Sequence, residues 1–344
     1  MRLFRKITTA AAVAATAGFS MTGTAAMAFT LSNGPGDGTV NVGVDGFGSF
    51  GSSVGGAGTE DAFYDPVGSQ PPAPTSFESG LAIRLGNSGA RTFLTSGDIG
   101  GSGNLQNPTV TGTSTSANSS FSFGGLNFDL TQVLAPLFND GGTQTGSTLT
   151  QTYAITNPTN TALDFELLRY IDGDLEFDGS LIDGGGRLVA NGSDFLFEID
   201  SATGSNDPTT LVGISSEGGT IPTTGRYEID EFSDLRSRII SGTALDDTVT
   251  GDSPDADQFI DAGNGYDVTL ALNNLFSLGA GQTTTYTNRT FLGAGTPGQI
   301  INPPPPTSVP ESSSVLGVLA FGTFGVGSRL LRQQQQKKQA TSRN

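Results

Sequence analysis

The chain has 344 residues, with 50 glycines, 33 carboxylates against 16 basic side chains, and no cysteine, histidine or tryptophan. That inventory excludes disulfide staples, thiol and histidine-triad catalysis, and zinc sites built from cysteine and histidine. The formal charge is −17 overall, and −24 between residues 29 and 308, where eight arginines and no lysine face 32 carboxylates. A field of that sign repels nucleic acid and anionic headgroups, so neither DNA nor RNA is expected as a partner.

The N-terminus has the layout of a secretory signal peptide over residues 1–28. Arg2, Arg5 and Lys6 form a charged start, residues 7–18 an alanine-rich apolar run, and Ala26-Met27-Ala28 a small-residue cleavage site. Cleavage after Ala28 would start the mature, exported chain at Phe29.

Residues 29–75 are rich in glycine and proline and read mostly as loop, with one alternating strand at Thr39-Val40-Asn41-Val42-Gly43-Val44. From 76 to 299 the pattern is that of an all-β body, an antiparallel β-sandwich with Gly/Ser-rich loops. Leu81, Ile83 and Leu85 alternate with Ala82 and Arg84, and 91–94 offers a hairpin partner across Gly86-Asn87-Ser88-Gly89. Phe121, Phe123, Leu126, Phe128 and Leu130 continue the pattern, and a short helical turn is expected at 131–137. In 146–171 two alternating runs flank Asn157-Pro158-Thr159-Asn160, which predicts a hairpin with one face in water. Phe195, Phe197 and Ile199, then 211–214, 268–272 and 283–292, read as further strands. No helical periodicity is evident in the body.

Carboxylates are the only reactive groups left in it. Glu166, Asp172, Asp174 and Glu176 are conceivable partners for a carboxylate-pair glycoside hydrolase, though a sequence shows no separation between them. Calcium fits the composition better. Asp172-Gly173-Asp174-Leu175-Glu176-Phe177-Asp178-Gly179 puts hard oxygen ligands at alternate positions beside turn-forming glycines. Asp172, Asp174, Glu176 and Asp178 are thus the candidate Ca²⁺ ligands, and calcium the one candidate cofactor. In a continuous strand the same alternation would simply set all four on a solvent face. A second acidic cluster, Asp246, Asp247, Asp252, Asp255, Asp257 and Asp261, precedes Gly263-Asn264-Gly265-Tyr266-Asp267.

After a proline-rich linker at 300–308 comes a composite terminal segment, 309–344. Val309-Pro310-Glu311-Ser312-Ser313-Ser314 precedes a glycine-studded apolar run to Gly327, and then Arg329, Arg332, Lys337, Lys338 and Arg343 make a basic end. As helix, the apolar part would span about 21 Å at roughly 1.5 Å per residue, short of the ~30 Å hydrocarbon core. Snorkelling of Arg329 would add about a turn. The arrangement resembles the PEP-CTERM sorting signal, with Ser312 where that family has a second proline. The resemblance covers only this segment. It implies that the motif Val309, Pro310, Glu311, Ser312 and Ser313 is read by an exosortase-type membrane protease while a short transmembrane helix holds the chain in the membrane. It also implies a non-enzymatic protein of the cell surface or extracellular matrix, part of an envelope, exopolysaccharide or biofilm. A carbohydrate-binding sandwich stacking sugars on Tyr64, Tyr170, Tyr227 or Tyr266 is the alternative, with extracellular polysaccharide as partner.

Overall fold

The computed structural model describes residues 28–301 apart from 55–60, 69, 191, 202–207 and 253–256. Ala26 of the cleavage site and the sorting motif at 309–313 lie outside the described residues; Ala28 is the first of them. The chain divides into a large unit, Met1–Leu137 with Gln144–Asn302, and a small one, Phe138–Thr143 with Pro303–Asn344. The described part of the small unit is a turn in which Asn139 Oδ1 accepts from the backbone N–H groups of Gly141 and Thr143.

The large unit is all-β and antiparallel. Its first four strands, β1 (Phe29–Ser32), β2 (Val40–Val44), β3 (Ala62–Tyr64) and β4 (Ala73–Pro74), form one small sheet in that order. Next come β5 (Ser76–Leu85), β6 (Thr92–Leu94), and the ribbon of β7 (Asp98–Ile99) and β8 (Ser102–Gly103). They are followed by β9 (Thr111–Thr113), β10 (Ser116–Phe123), β11 (Leu126–Phe138) and β12 (Gln144–Thr156). The second half holds β13 (Leu163–Gly173), β14 (Gly184–Ala190), β15 (Ser193–Ile199), β16 (Thr209–Glu217) and β17 (Tyr227–Glu231). Helix α1 (Phe232–Ser241), β18 (Phe259–Ile260), β19 (Val268–Leu278), β20 (Thr283–Gly295) and helix α2 (Pro297–Ile301) complete it. Among the described residues two large sheets result, in the orders β18-β14-β15-β16-β20-β12-β11-β10-β9 and β17-β19-β13-β5-β6.

These sheets pack face to face. Leu81, Phe165, Leu167 and Phe276 of the five-stranded sheet share one core cluster with Leu130, Tyr153, Ile155 and Tyr286 of the nine-stranded one. The small sheet joins a second cluster: Leu31, Val40, Val42, Val44, Ala62 and Tyr64 lie with Leu149, Ile171, Val212 and Leu292. The stretch 29–75 therefore holds three strands more than its alternation disclosed, and it contributes to the same core as the strands that follow.

The expected hairpins fare differently. β5 and β6 pair as anticipated, with Leu81 opposite Leu94 and Ile83 opposite Thr92. β12 and β13 do not pair at all. β12 lies between β20 and β11, and β13 between β19 and β5, so the chain at 157–160 crosses from one sheet to the other. Asn157 fixes that crossing. Its Nδ2 donates to the carbonyls of Thr161 and Leu278, while its Oδ1 accepts from the Thr159 N–H and hydroxyl. A turn sequence reports a reversal of direction but not which neighbour pairs afterwards.

The wet face predicted for 163–171 is also absent, because α1 covers it. Leu235 and Ile239, one helical turn apart, sit against Ala82, Phe93, Leu168, Tyr170 and Ala271 on the outer side of the five-stranded sheet. α1 is ten residues long with two buried anchors, too brief to register as a period. Gly242 closes it at φ 80°, a left-handed conformation that favours glycine. The helical turn expected at 131–137 is instead strand, with Leu130 and Leu134 buried and Thr131, Val133 and Ala135 exposed. Gln132 disguised it. This polar residue sits on the buried face because its Nε2 reaches the Asp45 carbonyl and its Oε1 accepts from Gln151.

At the C-terminal end of α1, Arg238 Nε lies 2.8 Å from Glu228 Oε1 on β17, and its Nη2 is 3.5 Å from Asp246. Burial, then the Asp246 charge, push the Glu228 carboxyl up to about 7 against the pull of Arg238. Folding thus favours the protonated acid. This term stabilises the native state in full below the ordinary carboxyl range near pH 4.5, is lost as pH rises toward 7, and is flat above. Glu228→Gln is expected to make the fall in melting temperature between pH 4.5 and 7.5 shallower than in the parent, as read by thermal melts in matched buffers.

Candidate metal centre

Three of the aspartates come together at one end of β13. The register between β13 and β5 shifts there, so that Asp172 faces Glu78 while Gly173 faces Ser76, and the chain then leaves the sheet. The Asp174 N–H donates to the Thr75 carbonyl. β13 also pairs with β19, placing Asp172 opposite Thr269 and so beside Asp267, just before β19 begins. One carboxylate oxygen from each of Asp172, Asp174 and Asp267 lies within 4.8 Å of the other two.

The nine-stranded sheet adds two more carboxylates. Glu198, on β15, is fully buried, and its carboxylate occupies the space over the Gly173 Cα, where any side chain would overlap Oε2. Glycine at 173 leaves room for this close approach, and a larger residue would have to displace the Glu198 carboxylate. Asp183 precedes β14 and exchanges backbone hydrogen bonds with Tyr266, at 3.0 and 3.1 Å, next to Asp267.

The electrostatics are one-sided. Burial first, then Asp267, Glu78 and Asp174, hold the Asp172 carboxyl far above its usual range. Asp174 is pushed up to about 7 by burial and then by Asp267 and Glu176. Glu198 is raised by burial and by Asp183 and Asp172, Asp183 by burial and by Asp200, and Asp267 by burial and by Glu231. Glu198 and Asp183 meet carboxyl to carboxyl, so without a proton neither offers the other a donor. Both Glu198 oxygens, Asp172 Oδ1 and Asp183 Oδ1 are buried without a hydrogen-bond partner. Arg236 acts against this charge at Asp172 and Asp267, but its Nη1 is engaged 3.0 Å away by Glu78. A set of oxygen donors with excess negative charge and no nitrogen or sulfur suits a hard divalent cation.

Two of the four residues expected to form a site, Asp172 and Asp174, are in it. The other two are not: Glu176 and Asp178 are exposed, and Asp178 Oδ1 caps the Ser180 N–H. The even spacing misled in both directions, because β13 ends at Gly173 and period-two geometry stops with it. Asp172 is accordingly buried, not on a solvent face. Asp267, Glu198 and Asp183, which the fold brings beside Asp172 and Asp174, were not among the residues expected there. The legible signal was Glu198 in Phe195-Leu196-Phe197-Glu198-Ile199, a carboxylate in a strand with apolar neighbours throughout. Of the second acidic cluster, Asp247 accepts the N–H groups of Gly225 and Arg226, Asp252 that of Gln258, and Asp246 that of Thr248, all turn-holding roles.

The residues considered for other chemistry are committed elsewhere. Glu166 is buried between Arg84, at 2.7 Å, and Arg91. Tyr64 and Tyr170 are fully buried, and the Arg187 guanidinium lies 4.1 Å from the centre of the largely buried Tyr227 ring. Tyr266 is half-buried, with its hydroxyl on the Thr250 carbonyl. Tyr64, Tyr170 and Tyr227 cannot stack on a sugar as they stand. Among the described residues no helix is long and apolar enough to cross a membrane.

No family model and no curated protein matches the chain. Solved structures with some similarity include a polysaccharide lyase (11% identity, TM-score 0.33, 63% of this chain and 25% of that one). Others are a galactose mutarotase related enzyme from Lactobacillus acidophilus (9%, 0.31, 78% and 99%) and a putative kojibiose phosphorylase from human microbiome (10%, 0.29, 83% and 33%). The chain thus spans a quarter of the lyase and a third of the phosphorylase. At TM-scores this low, nothing those proteins do is carried to this chain.

Proposed function

We propose that this is a non-enzymatic exported protein, delivered to the cell surface or extracellular matrix as part of an envelope, exopolysaccharide or biofilm. The signal peptide takes it out of the cytoplasm. The C-terminal motif around Pro310 and Glu311 hands it to an exosortase-type protease after transient anchoring in the membrane. The observation that supports the non-enzymatic reading is the placement of the carboxylates considered for glycoside hydrolysis. Glu166 is buried against Arg84 and Arg91, out of a substrate's reach, and Asp172 is buried at the end of β13.

Intact mass of the protein recovered from the cell surface and from the medium tests the reading. The expected chain begins at Phe29 and lacks the basic end that carries Lys337 and Lys338. Recovery of a chain that keeps that end in both fractions overturns it.

A further inference from the structure

We propose that Asp172, Asp174 and Asp267, completed by Glu198, hold one calcium ion that ties the two large sheets together at the end of β13. The inference stands apart from the sorting signal and concerns the folded body alone.

Two independent observations meet at this spot. The first is convergence. Oxygens that share a Ca²⁺ at about 2.3–2.6 Å lie no more than about 5 Å apart, and the three aspartates offer such a set within 4.8 Å. The second is Glu198. It comes from the opposite sheet and lies outside that set of three. It is fully buried, meets only the Asp183 carboxyl with no donor group on either oxygen, and rests against Gly173, the residue joining Asp172 to Asp174. A buried carboxylate with neither donor nor counter-ion is costly, and Asp172 Oδ1 and Asp183 Oδ1 share its condition. Arg236 offsets Asp172 only in part, its Nη1 being held by Glu78. One divalent cation supplies the missing charge and the missing bonds at once.

Calcium fits better than its rivals. Magnesium demands a near-octahedral shell at about 2.0–2.1 Å and keeps most of its water, whereas calcium accepts irregular sets of six to eight oxygens. The absence of histidine and cysteine from the chain removes the ligands that draw zinc and copper. The ion would join β13, β15 and the loop entering β19, making it structural.

The test uses the mature protein stripped with EDTA and titrated with CaCl₂ in a calorimeter, with thermal melts alongside. Expected are one ion bound per chain, a rise in melting temperature on adding calcium, and at least tenfold weaker binding of MgCl₂. Asp267→Asn and Glu198→Gln should each lower calcium affinity tenfold or more, while Asp178→Asn, in the exposed loop beyond the site, should leave it unchanged. Should Glu198→Gln fail to fold, the half-exposed Asp267 still decides the matter. No heat and no shift in melting temperature on the folded parent overturns the proposal. So does a loss in Asp178→Asn equal to that in Asp267→Asn, or equal affinity for magnesium.

Discussion

Replacing Glu166 with glutamine is expected to cost the body about 3–5 kcal/mol, the range for breaking a buried ion pair by removing one partner. Glu166 Oε2 accepts from Arg84 Nη2 at 2.7 Å and Oε1 from Arg91 Nε, and both the glutamate and Arg91 are almost wholly out of water. Burial pulls the Arg91 guanidinium below its ordinary range, and Glu166 holds it charged. The same guanidinium donates to the carbonyls of Ile239 and Thr243 at the end of α1. Glutamine keeps the volume, but its amide turns a donor toward one of the two arginines. A buried cation then loses its counter-ion at the point where the helix is fastened to the sheet. Urea denaturation should show a lower midpoint with an unchanged slope. Glu217→Gln, at the exposed Arg289–Glu217 pair, should leave the midpoint in place. Equal effects at the two sites would mean that burial does not set the value of these pairs.

The second large effect is expected at Arg169. This side chain is buried between the sheets and, among the described residues, pairs with no carboxylate. Burial pulls its guanidinium down to about 10, which leaves it charged at neutral pH. It donates to the Gly80 and Tyr170 carbonyls, to Ser79 Oγ at 2.7 Å, and across to Thr290 Oγ1 on β20 at 2.9 Å. Arg169→Met keeps most of the volume and strands those acceptors, for an expected loss of about 3–4 kcal/mol. Arg169→Lys should recover little of it, since one ammonium cannot reach all four acceptors that a planar fork spans. Denaturant midpoints of the two variants check this. A methionine variant as stable as the parent would show that the buried charge costs as much as its bonds return.

Much of the fold was legible because its strands are locally written. The alternations at 81–85, 126–130 and 195–199 each became a strand, and Leu126, Phe128 and Leu130 form a buried face, while Leu85 is exposed. What could not be read was partnership. Asn157-Pro158-Thr159-Asn160 has the chemistry of a hairpin turn, yet it carries the chain between sheets, and only the neighbours on both edges of β12 and β13 decide that. α1 hid for a similar reason: two anchors in ten residues gain meaning from the sheet beneath them. The candidate centre divides along the same line. Asp172 and Asp174 are close in sequence and were found. Glu198, Asp183 and Asp267 reach them only through strand pairing and sheet packing, which no local spacing encodes.

The place of β20 also governs when this body can form. The last strand among the described residues lies inside the nine-stranded sheet, flanked by β12 and β16, and Thr156 meets Thr283 across 127 positions of chain. Until residue 295 has been made, β12 and β16 have no common neighbour, and the larger half of the protein cannot close. Contacts this remote in sequence make for slow folding. Local pairs such as β10 with β11 and β14 with β15 can form before β20 is made, but the nine-stranded sheet is whole only once β20 has slotted between two strands made long before.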